Sequence, residues 1–218
     1  MRKLSFLAAA LVALAVPAAA SAQAQKLTLG ARLGYAIAGG DAAKDSKMSD
    51  VLKGAIPLQL DVGYNVTKEF NVGAFVSYGF GRIGGDIKDL CDTSGVDCSA
   101  RDVRLGVQGT FAFEDLNPQF VPWIGFGFGY EWGSLKVTQG PNEGKISYRG
   151  FELADLQLGA DFKASPQLKV GPFVSMSFGK YSNGKLEGFG AGVDQSGKID
   201  EQAVHNFITI GVRGQFTL

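Results

Sequence analysis

The chain has 218 residues, 31 of them glycine, and its 21 basic and 21 acidic residues give a formal net charge of zero. Its basic residues form no stripe along the sequence, which argues against a nucleic-acid partner because phosphate binding needs a basic surface. One histidine and two cysteines are too few for a structural zinc site, and we expect neither a metal nor a cofactor.

The beginning of the chain has the organisation of a secretory leader. Arg2 and Lys3 precede an apolar run over residues 4–16, and Ala20-Ser21-Ala22 is a small-x-small cleavage site. An uncleaved membrane anchor would need about 20 apolar residues, and this run is shorter. We therefore predict that the chain is exported and that the leader is removed.

Cleavage is expected after Ala22 or Ala24, so that residues 1–22 form the signal peptide and residues 23–218 the mature chain. Without the leader, 19 basic and 21 acidic residues remain, a formal charge of −2. The mature chain contains no linker and no low-complexity stretch, which predicts a single domain.

Apolar residues alternate with small or polar residues over eight segments of the mature chain. In the fifth segment Ile124, Phe126 and Phe128 fall on one face, and Gly125 and Gly127 fall on the other. A soluble sandwich would carry long solvated side chains on its polar face, so this glycine-rich face indicates that the large side chains face lipid. The predicted strands are 26 to 37, 55 to 65, 70 to 81, 101 to 113, 120 to 132, 149 to 163, 168 to 181 and 203 to 218.

The connections between these strands alternate in length. Those after the second, fourth and sixth strands are short, and those after the first, third, fifth and seventh have about 16 to 21 residues. In outer-membrane barrels the short turns face the periplasm and the long loops face outward. The sequence therefore predicts an all-β fold, an eight-stranded antiparallel up-and-down transmembrane β-barrel with both termini on the periplasmic side.

Two places in the strands predict irregular pairing. Pro172 has no amide to donate to a neighbouring strand, which predicts a bulge or a local weakness in the pairing. Glu152 and Asp155 fall on opposite faces of a regular strand, which predicts a bulge or a late start near Ala154.

Cys91 and Cys98 lie in the second predicted outer loop. Because the periplasm is oxidising, an isolated pair this close predicts a disulfide. We interpret it as a clip that shapes a surface loop.

Seven charged residues are predicted to face the lumen and to form a charge network. An eight-stranded barrel has an interior that side chains fill, and enclosed charges must pair. The favoured interpretation is a polar plug that closes the barrel, and a proton or ion path and a narrow solute passage remain as alternatives. These residues are Arg32, Asp61, Arg104, Glu131, Asp161, Lys169 and Arg213.

His205 is the candidate for an enzymatic alternative. It is predicted near the outer rim facing inward, where Ser177 or Ser182 are conceivable nucleophiles with His205 as the base. No serine follows His205 at a spacing that favours this arrangement, and a histidine with an ordinary hydrogen bond is the expected outcome.

Three segments resemble the small outer-membrane β-barrel families of OmpA-type and OmpW-type proteins of Gram-negative bacteria. They are VPWIGFGFGYEW, FELADLQLGADFKASPQLKVGPFVSMSFGKY and the closing GVRGQFTL, which ends in Leu218 where the families usually have an aromatic residue. The resemblance implies location in the cell outer membrane, insertion by the barrel-insertion machinery and no enzymatic reaction. We expect no separate peptidoglycan-binding domain.

The sequence thus predicts a non-enzymatic integral outer-membrane protein of the cell envelope with a structural or surface-interaction role. A narrow channel or transport module for small apolar solutes is the first alternative, as the resemblance to OmpW-type proteins implies. The second is an outer-leaflet lipid-modifying enzyme that uses His205. The expected surroundings are outer-membrane lipid and lipopolysaccharide, and the expected state is a monomer.

Overall fold

The computed structural model describes residues 26–44, 46–117, 119–188 and 193–218. The predicted signal peptide lies outside these residues. No helix in the described ranges is long and apolar enough to cross a membrane.

Ten strands and two short helices make up the described chain. They are β1 (Leu27–Ala43), β2 (Ser46–Lys47), α1 (Met48–Val51), β3 (Leu52–Asn65), β4 (Phe70–Ile83), α2 (Gly85–Cys91), β5 (Val96–Ala112), β6 (Phe120–Gln139), β7 (Asn142–Lys163), β8 (Leu168–Gly188), β9 (Val193–Lys198) and β10 (Val204–Thr217).

Eight of the strands form a closed antiparallel ring. The order is β10-β1-β3-β4-β5-β6-β7-β8, and β8 pairs again with β10. β1 and β10 close the ring in continuous register from Thr28 opposite Thr217 to Gly40 opposite His205. The predicted eight-stranded up-and-down barrel is confirmed.

Large apolar side chains cover the outside of the ring. On β6, Ile124, Phe126 and Phe128 are 53%, 49% and 54% exposed, whereas Trp123 and Glu131 on the alternate positions are buried. Since a water-soluble protein would bury most of these side chains, this outer surface matches a wall in contact with lipid.

Aromatic side chains mark the two ends of this apolar band. The lower ring includes Tyr64, Phe70, Phe111, Phe120 and Phe162, and the upper ring includes Tyr78, Phe80, Tyr130, Trp132 and Phe151. Phe120 and Trp132 are twelve residues apart on β6, which is about 30 Å along the barrel axis at ~3.3 Å per residue and a tilt of about 40°. The band therefore matches the hydrocarbon thickness of a bilayer.

The three short turns use one local device. Oγ1 of Thr67 accepts hydrogen bonds from the backbone N–H groups of residues 69 and 70, at 3.2 and 3.0 Å. Asn117 Oδ1 and Ser165 Oγ do the same for the residues two and three positions later. Such side chains satisfy backbone donors that the tight turn leaves unpaired.

The long connections differ from the predicted loops because the strands continue beyond the band. β6 and β7 extend to Gln139 and Asn142 and are joined by a two-residue turn, where the sequence predicted a loop over 133–148. β8 continues to Gly188 and pairs with β9. We call the parts of β5 to β9 above the upper aromatic ring the extracellular extension.

β7 contains the predicted bulge. Leu153 and Ala154 both stand opposite Phe128 of β6, which shifts the register by one residue. The shift reverses the alternation of side chains, so that Glu152 and Asp155 both lie inside the barrel, 2% and 7% exposed. A regular strand would have placed one of these carboxylates in lipid.

A second bulge lies on β8 at Ser182, opposite the step from Arg149 to Gly150. It shifts the β7–β8 register in the opposite direction from the first bulge, and the two shifts cancel. At Pro172 the pairing with β7 is interrupted between Gly159 and Phe162 while the register is unchanged, so the predicted local weakness is present without a bulge.

A cap covers the outer mouth of the lumen. Met48 of α1 and Leu52 of β3 are buried against Tyr181 and Phe207, together with small residues of β1 and β3. α1 places Met48 over the barrel opening, because Met48 is the buried residue of its single helical turn. The first outer connection therefore folds back over the lumen.

The second outer connection contains α2, and a disulfide joins Cys91 at its end to Cys98 on β5. Closing so short a ring restricts the unfolded connection by about 2.5 kcal/mol in the chain-entropy model. The covalent link lies above the upper aromatic ring. It therefore stabilises the connection, whereas the barrel wall is stabilised by the pairing of its strands.

We predict that Cys91→Ser leaves barrel stability nearly unchanged but exposes α2 to protease. Trypsin should cleave after Lys88, which is exposed, faster in the variant than in the oxidised protein, because the helix can open without its covalent link. Gel analysis of the refolded protein after timed proteolysis measures this. Dithiothreitol treatment of the unsubstituted protein should give the same increase, and a variant that fails to insert would contradict a purely local role.

Candidate functional site

Arg32 is at the centre of the hydrogen-bond network in the inner half of the lumen, the half nearer the short turns. Its guanidinium donates hydrogen bonds to Asp61 Oδ2 at 2.8 Å, to Gln157 Oε1 at 2.8 Å and to Gln108 Oε1 at 3.1 Å. Gln108 also donates to the second oxygen of Asp61 at 3.0 Å. Four strands are thus connected by one buried cation and its partners.

Arg213 and Asp161 form a second buried pair toward the inner end. Arg213 Nη2 and Asp161 Oδ2 are 2.5 Å apart, and Nε bonds both carboxylate oxygens at 3.0 and 3.2 Å. Trp123 donates its indole N–H to Asp161 at 3.1 Å, and its ring lies 3.4 Å from the Arg213 guanidinium carbon. Gly159 makes room for this ring, because a Cβ there would lie 2.6 Å from Trp123.

Lys169 lies apart from the other predicted network residues, at the inner rim. Its ammonium pairs with Glu114 on the turn after β5, and Lys163 reaches the same carboxylate at 2.8 Å. Partial burial raises the pKa of the Glu114 carboxyl, but hydrogen bonds from the two lysines outweigh it and lower that pKa below its usual value. This cluster ties two turns together outside the lumen.

Arg104 organises the outer half of the lumen. Its Nε donates to Asp102 at 2.6 Å and its Nη1 to Ser177 at 2.9 Å. Glu131 and Glu152 lie 3.8 and 3.9 Å from the guanidinium. The guanidinium carbon also lies 4.5 Å from the ring centroid of Phe207, so this cation connects the polar network to the cap.

His205 is enclosed in this outer half rather than open at the rim. It is 1% exposed, its Nε2 bonds Glu131, and its ring stacks on Tyr181 with 4.2 Å between centroids. Ser177 is bound to Arg104, and Ser182 bonds the Arg149 carbonyl from the second bulge. In the part of the chain that the structure describes, no hydrogen bond joins His205 to either serine.

The lumen holds more carboxylates than cations. Six carboxylates face three guanidinium groups and one imidazole, and three carboxylate oxygens in the outer half have no hydrogen-bond partner among the described residues. These oxygens belong to Asp102, Glu152 and Asp155, and a cavity of about 40 Å³ lies beside them. No three His, Cys, Asp or Glu side chains in the described ranges are arranged to hold a metal ion.

The sequence interpretation did not include these three acids in the network. Asp102 lies on the same face of β5 as Arg104 two residues later. This spacing is a signal that could have identified Asp102 as a lumen residue. The inward position of both Glu152 and Asp155 depends on the bulge. The sequence predicts where this bulge lies, but not to which face of the strand it turns the two carboxylates.

The closed ring, its apolar outer wall and its charged interior agree with a family comparison. The sequence model described as "Outer membrane protein beta-barrel domain" matches residues 6–194. The chain belongs to this family. It is therefore an outer-membrane protein, as the leader and the strand pattern predicted. None of the curated proteins matches the chain.

Solved structures of outer-membrane proteins that are similar to this chain share little sequence with it. A major outer membrane protein from Thermus thermophilus has a TM-score of 0.53 at 13% identity, over 87% of this chain and 99% of that chain. Neisserial surface protein A has a TM-score of 0.48 at 10% identity, over 86% and 95%. Ail of Yersinia pestis has 0.46 at 13%, over 88% and 99%. At such identities the likeness concerns the fold alone.

Arg213→Ala is predicted to lower the free energy of unfolding by about 3–5 kcal/mol, because it leaves Asp161 buried without a cation. Arg213→Gln should cost less, since an amide still donates to the carboxylate and fills part of the space. Urea unfolding in lipid vesicles measures both. The double variant Arg213→Met with Asp161→Leu should regain most of the loss, and equal losses for Ala and Gln would contradict the pairing.

A second prediction concerns Glu114 and pH. Because its pKa is lowered in the folded state, the pairing contributes stability above the unfolded pKa of about 4.3 and loses it as pH falls through the lower folded pKa. Glu114→Gln should therefore be less stable than the unsubstituted protein at pH 7, by less than about 1 kcal/mol for a pair at the solvent-accessible rim, and the two should converge as pH falls below the folded pKa of Glu114. The control is Asp200→Asn, at an exposed acid that forms no ion pair with the described residues, and it should leave stability unchanged at both pH values.

Proposed function

We propose that this protein is a closed, non-enzymatic barrel with a structural or surface-interaction role. The proposal includes export with residues 1–22 removed, insertion by the barrel-insertion machinery, and a monomer among outer-membrane lipid and lipopolysaccharide. In this proposal the lumen charges act as a plug that fixes the strands relative to one another, and the extracellular extension provides the surface for contacts.

The filled lumen carries the proposal. The cavity beside Arg104 and Asp102 has a volume of about 40 Å³ and the cavity beside Arg32 and Asp61 about 10 Å³. Since one water needs roughly 10–15 Å³ of such space, these spaces suit a few waters rather than a solute. Buried ion pairs between them would have to break for a path to open, which is costly.

The cap adds a second closure at the outer end. Met48 and Leu52 pack on Tyr181 and Phe207. The guanidinium group of Arg104 packs against the ring of Phe207 from the lumen side. A solute would have to displace both an apolar contact and the cation beneath it. This arrangement supports a closed barrel over the channel alternative.

The environment of His205 supports the non-enzymatic side of the proposal. A general base needs access to the proton that it removes. Here the imidazole is enclosed by Tyr181 and bonded to Glu131, and the candidate serines have other partners. The lipid-modifying alternative would require the cap to open over this ring.

Planar-bilayer recording tests the closed barrel. We predict that the refolded protein gives no discrete conductance steps under conditions in which a large porin gives them, because the plug leaves no continuous water path. Discrete steps from the unsubstituted protein that increase in size in Arg104→Ala would show conduction through the lumen and would overturn the proposal in favour of the channel.

A further inference from the structure

The outward face of the extracellular extension contains a groove lined by basic side chains. It has a volume of about 690 Å³ and crosses β5, β6, β7, β8 and β9. Five basic residues and one acidic residue, Glu187, line it. We define the basic groove by these cations: Arg101, Lys145, Arg149, Lys185 and Lys198.

Most of this positive charge has no acidic partner. Lys185 lies 2.7 Å from Glu187 and 3.5 Å from Asp194. Lys145 lies opposite Glu187 in the pairing of β7 with β8, and for the other three cations the described residues provide no ion pair. Like charges that line one groove repel one another unless an anion lies between them. The arrangement therefore favours a bound anion with more than one charged group.

The alternation of the strands places the basic groove on the lipid-facing side of the wall. Arg101 lies on the same face of β5 as Leu105, which is 54% exposed on the apolar band. Arg149 is the cross-strand partner of Trp132 in the upper aromatic ring. Lys145 lies roughly 13 Å farther along β7 at ~3.3 Å per residue. The cations thus begin where the apolar band ends, at the height of lipid headgroups.

The floor of the basic groove is apolar at its lower end. Val103 and Trp132 line it there, and both continue rows of side chains that face the hydrocarbon. A ligand in the groove would therefore meet apolar side chains below and ammonium and guanidinium groups above. This combination fits an amphiphile better than a free anion.

We propose that the basic groove binds a phosphorylated lipid of the outer leaflet through its phosphate groups. Arg101 and Arg149 present guanidinium forks that bond phosphate oxygens in pairs, and the lysines contribute point charges. The acyl chains descend along the apolar wall below Val103 and Trp132. This inference does not depend on whether the lumen is closed.

Binding of a fluorescent bis-phosphorylated lipid A to the full mature chain in phosphatidylcholine nanodiscs tests this inference. The unsubstituted protein should bind the phosphorylated lipid more tightly than the same glycolipid without phosphates. The double variant Lys145→Gln with Arg149→Gln should bind it about 30-fold more weakly, since each Lys or Arg near an anionic lipid surface strengthens binding about fivefold.

The matched control is Lys44→Gln with Arg82→Gln, which also removes two positive charges. Both residues are outside the groove, and Arg82 is an exposed residue on β4 just above Tyr78 and Phe80 of the upper aromatic ring. This control should bind like the unsubstituted protein if the groove, rather than the overall charge, holds the lipid.

Three outcomes would overturn the inference. Equal affinities of the groove variant and the control would show that the position of the charges is irrelevant. Equal affinities for the phosphorylated and dephosphorylated lipids would show that the phosphates are not recognised. Displacement of the lipid by millimolar inorganic phosphate would assign the groove to a soluble anion. Heat-modified migration on gels verifies that each variant is folded.

Discussion

The structure depends on one constraint, which is that backbone amides in contact with lipid must be paired within the protein. β1 and β10 satisfy it by closing the ring over thirteen opposed residue pairs. Closure with eight strands fixes a lumen that side chains can fill. Because the wall needs large apolar groups outside, polar groups are placed in the interior, where they require partners.

The charged interior divides into two networks with different surroundings. Arg32 and Arg213 each hold a carboxylate in the inner half, where donors and acceptors are matched. The outer half has one guanidinium, Arg104, among several acids and is covered by aromatic and aliphatic side chains. In each half a cation–π contact joins the polar network to an aromatic ring, Trp123 beside Arg213 and Phe207 beside Arg104. The interior thus joins strands that are distant in sequence.

The sequence was sufficient to predict the barrel, its eight strands and the bulge near Ala154, because lipid imposes a strict alternation on the wall. It did not predict the extracellular extension, since beyond Trp132 the outward positions are polar, as at Ser134 and Lys136, and no longer show the apolar face of a lipid-facing strand. The cap was also missed: Met48 and Phe207 are brought together by ring closure and not by local pattern. The strand pattern assigned Lys169 to the inward face. Its partner Glu114 lies on a turn, and the pattern does not determine the position of turn residues.

The two bulges show how a closed wall takes up an extra residue. Each extra residue is left out of the pairing, so the residues beyond it keep the same neighbours on the adjacent strands. Leu153 on β7 and Ser182 on β8 are extra residues whose offsets cancel, and the register between these strands is the same above and below them. The wall can therefore tolerate the gain or loss of one residue at each of these points, because the pairs above and below a bulge are the same with the extra residue or without it.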